Sequence, residues 1–172
     1  MQGKDRWLVI SIMALLLVVI MIVLPASAYK VKAREIPFDN LSLQTAYISN
    51  QQAGTQLQII TDPTVAPTLP ILPADQVALQ SVDYSLYFVA AVFFGTGASP
   101  QSRVTKISQY RDVVWLRSDF PTPSGEGESF APYQLLKIAK SAVKYSDPVI
   151  FKLVNEVFVD KAASTQYNFP AP

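Results

Sequence analysis

Residues Tyr84 to Phe94 (YSLYFVAAVFF) form an apolar run of strand length that stops at Gly95-Thr96-Gly97. A strand with one wet face alternates apolar and polar residues, whereas a run that is apolar at both parities needs a covering layer on each side. The run therefore predicts a central strand, with protein above and below it. Other segments read as strands around it. Leu41 to Tyr47 and Thr55 to Ile60 (TQLQII) alternate at period two, and Gln51-Gln52-Ala53-Gly54 between them predicts a hairpin turn. Arg103 to Ile107, Asp112 to Arg117 (DVVWLR), Tyr133 to Ala139 and Val149 to Val159 complete the set.

Three breaks punctuate the pattern. Thr61 to Pro73 holds Pro63, Pro67, Pro70 and Pro73, which predicts a polyproline-II-like loop excluded from any sheet interior. Phe120 to Pro132 reads as a long polar loop, and Asn168 to Pro172 as an extended end. The expected fold is mainly β: a small extracytoplasmic β-sheet or barrel-like domain over 29–160, with an extended C-terminal arm over 161–172 and one transmembrane helix over 1–28.

The transmembrane expectation rests on 18 consecutive uncharged positions from Trp7 to Leu24, with Leu15, Leu16 and Leu17 at their centre. At about 1.5 Å per residue such a helix crosses a hydrocarbon core of about 30 Å. Two readings compete. Ala26-Ser27-Ala28 after Pro25 has the form of a signal-peptidase site. The apolar stretch, however, is longer than the usual ~7–15 residues of a signal core, which favours a retained anchor. Lys4 and Arg6 favour a cytoplasmic N-terminus, although Lys30, Lys32 and Arg34 lie just beyond the span. Those three cations either snorkel to lipid headgroups or meet an acidic patch on a partner.

The chain of 172 residues has neither cysteine nor histidine. That removes disulfides, thiolate metal sites, the commonest metal ligand and the usual general base. With 14 basic and 13 acidic side chains, it also lacks the strong positive charge of a nucleic-acid-binding domain. The remaining candidate chemistry is thin. Ser141-Ala142-Val143-Lys144 has S-x-x-K spacing without the companion motifs. Glu126 and Glu128 read as solvated loop charges, with no calcium-loop ladder around them. Gly95-Thr96-Gly97 lacks the further residues of a phosphate loop, and Asn40-Leu41-Ser42 is a formal glycosylation sequon. We expect no enzyme, no cofactor, no metal, no nucleic acid and no small-molecule substrate.

Two segments carry a family resemblance. Asp83-Tyr84-Ser85-Leu86-Tyr87-Phe88-Val89-Ala90-Ala91-Val92-Phe93-Phe94-Gly95 resembles the opening strand, and Phe130-Ala131-Pro132-Tyr133-Gln134-Leu135-Leu136-Lys137-Ile138-Ala139-Lys140 the closing strand, of the PrcB C-terminal-type β domain. That family is named for an accessory protein of a bacterial surface-protease complex. Where it often carries Gly-Gly-Tyr, this chain reads Gly97-Ala98-Ser99-Pro100, and the chain continues past Lys140. The resemblance implies an exported, non-catalytic domain associated with larger assemblies.

Contacts with partners are expected from three places. Tyr84, Tyr87, Phe88, Phe93 and Phe94 alternate along one strand, so one parity can turn outward as a docking patch, with core packing as the alternative. From Glu35 to Ser102 there are five acidic residues and no Lys or Arg, a composition suited to an interface. The terminal arm, through Tyr167 and Phe169, suits a segment laid over a neighbour. The resulting expectation is a single-pass accessory subunit of a bacterial membrane complex in the cytoplasmic membrane. Its partners are other subunits and the lipid bilayer, and an electron-transfer assembly, respiratory or photosynthetic, is the expected host. The alternative is an exported, membrane-anchored module that modulates a surface protease or envelope component.

Overall fold

The apolar run forms the strand expected of it, buried on both faces between two packed layers. The structure, a computed structural model, describes residues 33–47, 54–95, 98–119, 130–144, 148–155 and 161–167. Among the described residues, nine strands lie in two sheets. In chain order these are β1 (Arg34–Glu35), β2 (Asp39–Tyr47), β3 (Gln56–Ile60), β4 (Tyr87–Phe93), β5 (Arg103–Tyr110), β6 (Val113–Asp119), β7 (Phe130–Ala139), β8 (Val149–Asn155) and β9 (Lys161–Tyr167). A 3-10 helix (Pro63–Thr68) and one α-helix, α1 (Pro73–Gln80), fall between β3 and β4. A short 3-10 turn, Lys140–Ala142, follows β7.

One sheet has the order β2-β7-β4-β3, all antiparallel; the other runs β1-β5-β6-β8-β9, with only β6 and β8 parallel. β4 pairs with β3 on one side and β7 on the other, as a central strand must. Its alternate residues feed two cores. Phe88, Ala90 and Val92 point with Leu136 and Ile138 into a core shared with Ile107, Leu116, Phe151 and Leu153 of the second sheet. Val89, Ala91 and Phe93 point the other way, with Tyr133 and Leu135, onto Ala66, Leu69, Ile71 and Leu79 of the helical segment. The architecture is a two-sheet sandwich with a helical layer over the outer face of one sheet, rather than a closed barrel.

Three expectations change. β2 and β3 form no hairpin: β2 pairs with β7 and β3 with β4, at opposite edges of their sheet. Both are period-two segments, and alternation identifies a strand without identifying its neighbour. The proline-rich stretch stays outside the sheets, but it is helical. Pro63 and Pro73 each stand at the first turn of a helix, where a missing N–H costs nothing and the fixed φ favours helix. Asp62 caps the 3-10 helix by accepting from Thr64 N–H at 2.8 Å. Finally, residues 161–167 of the expected arm are extended, but they are strand β9, paired antiparallel with β8 of their own domain.

The turn after β4 behaves as read. Gly95 has φ +84, and a Cβ there would approach the Gly54 carbonyl carbon at 2.9 Å. Only glycine suits both the left-handed backbone and the close passage of the neighbouring chain.

Candidate interaction surfaces

Two buried glutamines hold separate parts of the domain together. Gln134, on β7, faces the sandwich core: its Oε1 accepts from Val104 N–H at 2.6 Å and its Nε2 donates to Asn40 Oδ1 at 2.6 Å. It thereby ties the start of β5 to the opposite sheet. Gln109 does the same for the segment after β7, accepting from Lys144 N–H and donating to Lys144 C=O, both at 2.7 Å.

The most concentrated polar cluster lies beneath α1. The Tyr133 hydroxyl donates to Asp75 Oδ2 and accepts from Leu72 N–H at 3.0 Å. Asp75 sits in the first turn of α1 and is buried, and the helix has no side-chain cap of its own. A tyrosine from the sheet thus does the work of a cap, satisfying an N–H at the helix entrance while Asp75 also complements the helix dipole. Burial, reinforced by the bond to Asp75, pushes the Tyr133 hydroxyl far above the ordinary tyrosine range. The Ser42 hydroxyl is buried beside it without a hydrogen bond of good geometry. Such a cluster fastens the helical layer to the sheet. Among the described residues, no three Asp or Glu side chains gather to hold a metal.

Two surfaces remain for contact with other molecules. The first is the helical layer. Residues 61–86 carry Asp62, Asp75 and Asp83 and no Lys or Arg. Among the described residues the large exposed hydrophobic side chains are Leu72 at 39%, Val77 at 65% and Leu86 at 60%. All three fall between the start of α1 and the turn into β4. That turn is tied back to the helix, because Tyr84 donates its hydroxyl to Leu79 C=O at 3.0 Å. Asp62 and Asp83 are held below the ordinary carboxylate value: Asp62 by Thr64 N–H, Asp83 by the Ser85 hydroxyl and N–H. Both remain anionic wherever the domain is folded near neutral pH.

The second surface is the outer face of the five-stranded sheet. Strand pairing sets its rows: Glu35, Ser108, Trp115 and Lys152 lie side by side, and Tyr110, Val113 and Ile150 form the next row. Lys152 Nζ stands 5.0 Å over the Trp115 ring, and the Arg111 guanidinium 5.2 Å over Tyr110. Lys106 lies directly opposite Arg117 and bridges to Glu35 at 3.2 Å, while Arg103 is opposite Asp119.

The predicted contact residues distribute as follows. Arg34 is exposed on edge strand β1. Tyr167 turns inward beside the sandwich core and shares a 2.6 Å hydrogen bond with the Thr61 hydroxyl, so it closes its own domain where a contact with a neighbour was expected. Trp7, Leu15, Leu16, Leu17, Leu24, Lys30, Lys32 and Phe169 lie outside the described residues, as do Glu126 and Glu128. Among the described residues no helix is long and apolar enough to cross a membrane. The β4 aromatics make no outward patch: Phe88, Phe93 and Phe94 are buried, and Tyr87 is half-buried beside Lys137. Ser141 and Lys144 are exposed at the 3-10 turn. Trp115 and Tyr110 turn to the outer face of the five-stranded sheet, and for Trp115 the alternation of Val113, Trp115 and Arg117 against Val114, Leu116 and Ser118 already encodes it.

No family model matches the chain, and neither a curated protein nor a solved structure matches it. The segments Asp83 to Gly95 and Phe130 to Lys140 contain β4 and β7, antiparallel neighbours from Tyr87 opposite Ala139 to Phe93 opposite Tyr133.

Proposed function

We propose that this chain is a single-pass accessory subunit of a bacterial membrane complex, and that its β domain, on the extracytoplasmic side, meets partner subunits through the helical layer. The observation that carries the reading is the exposure of Leu72, Val77 and Leu86 within one segment, residues 61–86, that has carboxylates but no cation of its own. Exposed aliphatic side chains free of hydrated lysines match the composition of interface cores. A host of the electron-transfer kind fits a chain without Cys or His, because every redox cofactor then belongs to a neighbour.

Mild-detergent extraction followed by native mass spectrometry tests the reading. The expected result is migration with partners, lost on Val77→Lys or Leu86→Lys while the far-UV circular dichroism is unchanged. Migration of the wild-type chain as a lone ~19 kDa species would overturn the subunit reading. Co-migration with a surface protease would favour a modulatory module instead. A mature N-terminus at Tyr29 would overturn the anchor.

A further inference from the structure

We propose that the outer face of the five-stranded sheet is a docking surface for a layer of anionic lipid headgroups. The sandwich core covers the inner face of this sheet. Its outer face is composed as interfacial surfaces are, with Trp115 and Tyr110 set among Val113 and Ile150. Amphipathic rings of this kind settle at the headgroup level, and long cationic side chains lie along apolar surface with their charge in the headgroups.

Charge gives the second argument. Arg103, Lys106, Arg111, Arg117 and Lys152 lie on this face or its hairpin tip against Glu35, Asp112 and Asp119, a balance of five minus three, or +2. Like charges placed directly opposite on neighbouring strands repel. Lys106 and Arg117 are such a pair, and among the described residues Glu35 bridges to Lys106 alone. An anion over this row relieves the repulsion. Residues 61–86 contribute no cation of their own, and Lys140 reaches them from the end of β7 to donate to Tyr84 C=O at 2.7 Å.

Reach gives the third argument, and it alone rests on the anchor reading above. Arg34 of β1, the edge of this sheet, follows Leu24 by ten residues (34 − 24), at most about 35 Å of extended chain. Lys30, Lys32 and Arg34 extend the basic character along that connection. A juxtamembrane basic cluster is drawn to anionic lipid by about 1 kcal/mol per cation near the surface.

The chain has two tryptophans, Trp7 and Trp115, which makes the test direct. The full-length Trp7→Phe variant, reconstituted in nanodiscs of phosphatidylcholine with or without 30% phosphatidylglycerol, reports on Trp115 alone. The expected result is quenching of Trp115 by headgroup-labelled lipid in the anionic discs, with protection from acrylamide. Arg117→Glu, with circular dichroism as the control for folding, should lower the docked-to-undocked ratio about tenfold or more, and 0.5 M salt should act in the same direction. Equal acrylamide access in both kinds of disc would overturn the docking and leave this face to a protein. The Trp115→Phe variant separates the two readings, because Trp7, at the end of the apolar span, then reports insertion through lipid brominated close to the glycerol. Trp7 quenched with Trp115 unquenched overturns the docking alone. Trp115 quenched with Trp7 unquenched overturns the anchor and leaves the docking standing.

Discussion

The two faces of strand β4 are equally buried and differently held. On the sandwich face, Phe88 meets Phe151 of the opposite sheet edge-on, with ring centroids 5.7 Å apart, in a broad apolar core that the buried Gln134 crosses to Val104 N–H. On the helical face, Phe93 packs 6.1 Å from Tyr133, and the layer above is fastened through the Tyr133 hydroxyl to Asp75 and Leu72. The sandwich face joins two broad sheets with one glutamine bonded across them, whereas the helical face hangs a short layer on a buried polar junction at a helix entrance. A sheet gives broad support to its partner sheet, whereas an eight-residue helix is too short to be stable alone and needs a specific fastening.

The largest expected effect lies on the sandwich face. Phe88→Ala should destabilise the domain by about 3–5 kcal/mol, read as the shift in urea midpoint, because the cavity opens between two sheets that cannot collapse locally. Tyr133→Phe should cost about 2–3 kcal/mol, since it leaves a buried carboxylate and Leu72 N–H without their partner. Hydrogen exchange sharpens the contrast: with Tyr133→Phe the α1 amides should lose protection while those of β6 and β8 keep theirs. Equal loss everywhere would make the two faces one cooperative unit. Gly95→Ala should cost about 1–3 kcal/mol, by the strain of a positive φ and the contact with the Gly54 backbone.

Alkali separates the faces in another way. The Tyr133 value in the folded domain is raised above its ordinary 10.0 by burial and then by the bond to Asp75. Its contribution to stability is therefore complete below pH ~10 and declines as pH rises toward the folded value. Stability followed from pH 9 to 11.5 should fall in the wild type and fall less in Tyr133→Phe. A wild-type slope no steeper than that of the variant would sink the assignment. The smallest effect should come from the surface, where Val77→Lys changes stability by no more than about 0.5 kcal/mol.

Much of this architecture is legible in local pattern. Both parities of Tyr87 to Phe93 are apolar, so the strand has to be central, and Gly95 marks its end. Other features depend on partners distant in sequence. Nothing in Leu41 to Tyr47 states that it pairs with β7, more than 80 positions on, instead of with β3. Four prolines in 13 residues obscure a helix whose entrance is completed by a tyrosine 58 residues away from Asp75. The open face was readable in DVVWLR, since alternate residues there split cleanly into core and surface. The β4 aromatics draw the eye first, but their burial on both sides removes them from any contact surface.

Taken alone, the sequence determined the central strand, the turn glycine, the mainly β character and the absence of histidine and cysteine chemistry, because each follows from side-chain type and near-neighbour spacing. Tertiary structure alone decided which strands are neighbours, that Tyr167 serves its own core, that Tyr133 holds α1, and that Lys106 and Arg117 stand opposite each other on an open sheet face. These features join residues far apart along the chain. Pairing of that kind is selected by the energy of the whole packed core, which no local window contains.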